Sequence, residues 1–138
     1  MHFAVFDTNI YIGHWELGLY ENTLEIVRRS YIVRHSSVVL SELRRGARSH
    51  TAEQLVTDLH GLAHVQWEPS AKDWWEAGRL VREIADTEGW DKNKRRDFQN
   101  DALIALTVRR HGATLVTADV HDFSLLAKTL TITVLHAK

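Results

Sequence analysis

Phe3-Ala4-Val5-Phe6-Asp7-Thr8-Asn9 begins with four consecutive apolar residues and then turns abruptly polar. A short, unbroken apolar run fits a strand covered on both faces, as in parallel sheets; a strand with one wet face alternates instead. Asp7 then stands at the carboxyl end of that strand. Near the other end of the chain Leu115-Val116-Thr117 reads the same way, with Asp119 just beyond it. In open α/β sheets functional groups collect in the crevice outside the carboxyl ends of the strands. The two acids are therefore expected to face one crevice, although the sequence separates them almost completely.

Between these strands the elements alternate. Asn9 to Trp15 and Leu24 to Arg29 read as helices punctuated by Gly18, and Tyr31-Ile32-Val33 as a second strand. Ser36 or Ser37 offers an N-cap to a helix running to about Arg48, with Val39, Leu43 and Gly46 or Ala47 at helical spacing. Thr51 and Gln54 read as a capping box opening a helix with Ala52, Leu55, Val56, Leu59 and Ala63 on its apolar stripe. After a short strand at Val65 to Trp67, Ser70 caps a long helix whose stripe is read as Trp74, Gly78, Val81 and Ala85, ended by Gly89. Asp91 to Arg96 reads as a basic loop, followed by a helix capped by Asp97 or Asn100, carrying Leu103, Ile104, Leu106 and Val108 and stopped by Gly112. A short helical turn through Leu125 and Leu126 and a strand at Thr131 to Leu135 close the chain. Strands alternating with helices, without Asn-Gly hairpin turns, predict a three-layer α/β/α sandwich with a mostly parallel central sheet.

Composition narrows the function classes. The 138 residues and 44% hydrophobic content suit one domain spanning residues 1–138 with its own core. Zero cysteines exclude disulfides, thiolate metal sites and cysteine nucleophiles. With 17 Lys+Arg against 18 Asp+Glu, any affinity for nucleic acid must come from where charges lie, not from the total. Neither a signal-peptide pattern nor a long apolar span is present, so a cytoplasmic protein without a membrane segment is expected.

Two more acids draw attention. Glu42 follows the apolar run Val38-Val39-Leu40, where a charged group needs a partner or an ion. Asp101, read as lying near the start of its helix, has two explanations: favourable placement at the positive end of the helix dipole, or a ligand role. Singly, each of these acids is as well explained by a cap or a solvated surface. Gathered in one crevice, Asp7, Glu42, Asp101 and Asp119 would repel one another and require cations. An all-oxygen set selects Mg2+ or Mn2+, ions that polarise a phosphoryl oxygen and activate water for phosphodiester hydrolysis.

Phe6-Asp7-Thr8-Asn9, Ser41-Glu42-Leu43-Arg44-Arg45-Gly46, Asn100-Asp101-Ala102-Leu103-Ile104-Ala105, and Leu115-Val116-Thr117-Ala118-Asp119 through Asp122-Phe123 together resemble PIN-domain ribonucleases over nearly the whole chain. The likeness runs most closely to the toxins of VapBC toxin-antitoxin pairs. It implies that Asp7, Glu42 and Asp101 are the acids common to the family, that Asp119 fills its more variable fourth position, and that Asp122 lies in an outer shell. Thr8, Asn9 and Thr117 would hydrogen-bond the carboxylates or a water beside the ion. The resemblance further implies a Mg2+- or Mn2+-dependent endoribonuclease that inhibits translation and growth, a cognate antitoxin across its groove, and a homodimer. The alternative is an RNA-binding PIN module without turnover.

Basic residues flank the acids. Arg44, Arg45 and Arg48 follow Glu42, and Lys94, Arg95 and Arg96 precede Asp101; they are candidate phosphate contacts, and equally a solvated face and loop. His60 and His64 have the i, i+4 spacing of metal ligands, but Gly61 stands where a zinc peptidase needs its glutamate. Trp67, Trp74, Trp75 and Trp90 are candidates for base stacking, with Trp74 placed in the core by its stripe. Trp15, Leu17, Leu19 and Tyr20 form an apolar group fit either for a partner or for burial. An aspartyl-nucleophile phosphatase would want a second Asp where Asn9 stands, and a response-regulator receiver an acidic pair and a lysine that are missing.

Overall fold

The computed structural model describes residues 2–138; Met1 lies outside them. Five strands, β1 (Phe3–Phe6), β2 (Ile32–Ser36), β3 (Gln66–Trp67), β4 (Thr114–Thr117) and β5 (Thr133–His136), form one sheet in the order β3-β2-β1-β4-β5. Every neighbouring pair is parallel. Seven helices connect them among the described residues: α1 (Thr8–Leu17), α2 (Glu21–Ser30), α3 (Ser37–Gly46), α4 (His50–Leu62), α5 (Ala71–Glu88), α6 (Lys92–Arg110) and α7 (Val120–Ala127). This is the expected PIN-like α/β sandwich.

The alternation of a strand separates two cores. Val5 and Leu115 point to one face and pack with Val39 and Leu43 of α3, Ala77 and Leu80 of α5, Phe98 and Leu103 of α6 and Phe123 of α7. Ala4, Phe6 and Val116 point to the other, against Ile10, Leu24 and Val27 of α1 and α2. Because both faces are covered, the central strand β1 is apolar throughout, and its neighbour β4 is apolar at Leu115 and Val116 between two threonines.

Three local readings are corrected. α6 opens at Lys92 with Asp91 as its N-cap, its side chain accepting from the Lys94 amide at 2.8 Å, so the basic run is the helix's first turns rather than a loop capped by Asp97 or Asn100. α4 is capped by Ser49, whose hydroxyl accepts from the Ala52 amide at 3.0 Å, and Thr51 lies inside its first turn. On α5 the buried positions are Asp73, Ala77, Leu80 and Ala85; of the expected stripe Ala85 is buried, Val81 is half-buried, and Trp74 is left 51% exposed. The cause is the neighbour: α5 packs along α6, and Ala77 and Leu80 join the core that includes α6's Phe98, Ala102 and Leu103. Ser70 does cap α5, in a reciprocal capping box with Asp73, and Gly89 ends it at φ 69°, a left-handed backbone that glycine adopts without a Cβ clash.

Candidate metal centre

The chain runs β1 to β2 to β3 outward in one direction, then returns to lay β4 on the free side of β1 and β5 beyond it. The reversal leaves a crevice at the carboxyl ends of β1 and β4, where connections diverge to opposite sides. Asp7 leaves β1 there and caps α1; Asp119 leaves β4 there and caps α7, its Oδ1 accepting from the Asp122 amide at 3.1 Å.

A hydrogen-bond network fixes these strand ends to each other. The Thr117 hydroxyl, fully buried, donates to Asp7 Oδ2 at 2.8 Å and accepts from the Asp119 amide at 3.0 Å and Asn9 Nδ2 at 3.4 Å. Asn9 Oδ1 in turn accepts from the Ala118 amide at 3.2 Å. Thr8 ties the other side, donating its amide to Asp7 Oδ1 and its hydroxyl to Glu42 Oε1, both at 2.8 Å. Each hydroxyl orients a carboxylate and leaves other lone pairs of that carboxylate free.

Asp101 enters from α6. Its position near the middle of that helix, far from the amino end, removes the dipole and capping explanation that the sequence had offered. Its carboxyl is partly buried, and removal from water, reinforced by the charges of Asp7, Glu42, Asp119 and Asp122, pushes its pKa up to about 9. Asp7 is raised to about 6, chiefly by burial; its bonds to Thr117 and Thr8 pull the other way, and the charges of Glu42 and Asp119 add to the rise.

Asp101, Asp119 and Asp122 each bring a carboxylate oxygen within 4.8 Å of the other two. Asp122, which the sequence placed in an outer shell, is thus drawn into the cluster, buried to 6% exposure and bonded to the Lys94 ammonium. Lys94 is pulled down by partial burial but held above its ordinary pKa by Asp122, Asp101 and Asp119. The donor set is all oxygen, crowded and short of positive charge, which fits a hard divalent cation such as Mg2+ or Mn2+.

The basic residues divide. Arg95 turns away to Asp86 at 2.9 Å and to the Trp90 carbonyl at 3.1 Å, while Arg96 stays exposed beside Asn93. Arg44 and Arg45 occupy the last turn of α3, and Arg44 lines a cleft of about 530 Å³ between α3 and α4 that also includes His60. His64 falls beyond the end of α4, so the two histidines do not share a helix face. Trp67 is buried and stacked on His111, Trp90 packs edge-on to Phe98, and Trp75 is 85% exposed.

A five-stranded parallel sheet carrying carboxylates at its switch point defines a class of α/β protein with an acidic, cation-seeking crevice. The family model described as PIN domain matches residues 4–128, and the chain belongs to that family. Its fold is similar to VapBC2 from Rickettsia felis bound to a DNA fragment from its promoter, at 25% identity and a TM-score of 0.70 over 99% of both chains. It is also similar to DNA-bound VapBC from Salmonella typhimurium, at 20% identity and 0.69 over 99% of this chain and 98% of that one. VapBC-5 of Mycobacterium tuberculosis, a member of the VapBC family of toxin-antitoxin systems, aligns at 18% identity and 0.63 over 99% and 100%. No curated protein matches the sequence.

Proposed function

We propose that the protein is a Mg2+- or Mn2+-dependent endoribonuclease, the toxin of a toxin-antitoxin pair that inhibits translation and growth, built as one domain over residues 1–138 and working in the cytoplasm. The observation that carries this reading is Asp101: a carboxyl in mid-helix, raised to about 9 by burial and by four other carboxylates, has no structural purpose that a neutral side chain would not serve better. Membership of the PIN domain family and the likeness to VapBC complexes support it.

Asp7, Glu42, Asp101 and Asp119 would hold the ion, with Asp122 beside them. When bound, a divalent cation supplies positive charge at a phosphoryl oxygen and lowers the pKa of water for attack on phosphorus. The chain's own groups do the rest. Thr117 and Thr8 orient the Asp7 and Glu42 carboxylates, and Asp101 would be held ionised beside a bound cation. Arg44, Arg45, Arg48 and Arg96 are exposed around the acids' own helices and supply phosphate contacts that position the RNA strand. An antitoxin and a second copy of the chain are the proposed partners, for which exposed Leu17, Ile26, Leu62, Trp74 and Trp75 provide apolar surface.

The test is incubation of purified, antitoxin-free protein with total cellular RNA in Mg2+, in Mn2+ and in EDTA, alongside Asp7→Asn, with fragment ends read by sequencing. Discrete metal-dependent cuts that disappear in the variant are expected. Folded protein that binds RNA but never cuts it would replace this reading with a binding module without turnover.

A further inference from the structure

Lys94 lies in the first turn of α6, where its amide donates to the Asp91 cap but its side-chain cation opposes the helix dipole. Its placement therefore needs another reason. Within the basic run Arg95 goes outward to Asp86, whereas the Lys94 side chain crosses the Trp90 ring, with Nζ 4.9 Å from the centroid, and ends on Asp122 Oδ2. Asp122 is itself anchored from the far side, since its amide donates to Asp119 Oδ1. The ammonium thus reaches α7 from α6 across the edge of the crevice and sits on one member of the group whose oxygens converge, Asp101, Asp119 and Asp122.

We infer that Lys94 is a built-in counter-cation that commits Asp122 to an ammonium and so limits the centre to one divalent ion per chain. Nucleic-acid hydrolases that use two ions need carboxylates enough to hold both. Here the one carboxylate that would add to Asp7, Glu42, Asp101 and Asp119, that of Asp122, has an oxygen engaged by a charge the protein carries itself. The aromatic ring under the ammonium reinforces the arrangement, because a cation over a tryptophan face is held there even when the pair is partly wet. The inference rests on the metal-centre reading above and assigns Lys94 a positioning role, set apart from the phosphate contacts of the neighbouring arginines.

Counting Mn2+ bound to the purified full-length chain, by the EPR signal of the free ion during titration near neutral pH, tests it without any RNA. The wild type and Lys94→Arg are expected to bind one Mn2+ per chain, and Lys94→Met and Lys94→Gln two. Adding Asp122→Asn to Lys94→Met is expected to return the count to one. A single ion in folded Lys94→Met and Lys94→Gln, or two in the wild type, would overturn the role given to Lys94. No Mn2+ bound by the wild type would overturn the metal centre and Lys94's role with it, which separates the two failures.

Discussion

Asp73 and Asp101 are both aspartates on long packed helices, yet their surroundings are opposite. Asp73, 7% exposed, accepts from the Ser70 amide at 2.9 Å and from Arg110 Nε at 3.2 Å, and the same guanidinium donates to the Glu68 carbonyl at 2.7 Å. One arginine thus joins the start of α5, the end of α6 and the segment after β3. Asp101, further up the same α6, is crowded by four carboxylates. Asp73 is satisfied by its neighbours, whereas Asp101 is left short of positive charge, the condition in which perturbed carboxyls at functional sites are found.

Removing the unsatisfied acid should hurt chemistry and spare the fold. Asp101→Asn is expected to lower metal-dependent RNA cleavage about a thousandfold, the several kcal/mol a cation contributes to a phosphoryl transition state. The metal-free variant should melt no lower than the wild type, and calorimetry in EDTA compares them. Breaking the satisfied acid should do the reverse. Arg110→Met strands Asp73 and should cost about 2–3 kcal/mol in urea unfolding, below the full value for a buried pair because Arg110 is partly solvated. Cleavage per folded molecule should stay at the wild-type level.

A subtler probe lies between the two. Thr117→Val keeps the shape of a fully buried side chain but deletes the hydroxyl shared by Asp7, Asn9 and Asp119. Metal affinity by isothermal titration should weaken about 10- to 100-fold, as for other groups that orient ligands. The last probe is the pH dependence of stability. With its pKa near 9 against an ordinary 3.8, Asp101 keeps in the folded, metal-free chain a proton that the unfolded chain releases. Stability must then fall as pH rises from about 4 towards 9, with Asp7 contributing below about 6. Melting temperatures in EDTA should decline across this window, and Asp101→Asn should flatten the upper part. A rise over the same range would contradict the raised pKa.

Much of this was legible in the chain, and the failures have particular causes. Strands β1 and β4 announce themselves because burial on both faces demands unbroken apolar runs, and the acids that follow them are placed by the same logic. α6 was cut short because Lys92 to Asp97 offers few apolar residues to carry a periodicity; the signal present was Asp91, a good cap ahead of lysines and arginines, which are good helix formers. That misplaced start is what made Asp101 look like a helix-terminal acid. On α5 two overlapping stripes were available, and the tryptophans outweighed the alanines until the proximity of α6 decided between them. The Lys94 partner of Asp122 was not legible, because only the tertiary approach of α6 to α7 brings Lys94 and Asp101 to it.

The adjacency of β1 and β4 has a consequence for how the protein is made. A ribosome delivers Asp7 first, Glu42 and Asp101 along the way, and Thr117, Asp119 and Asp122 close to the end. Domains condense as they emerge, but this crevice has only one wall until β4 docks beside β1. A nascent chain, or one released early by a premature stop anywhere before Thr117, lacks the hydroxyl that aligns Asp7 and the acids that complete the cluster. Under the RNA-cutting activity proposed above, whose target is the molecule the ribosome is reading and is itself built from, strand order would double as a delay line: the blade would be the last part to be assembled.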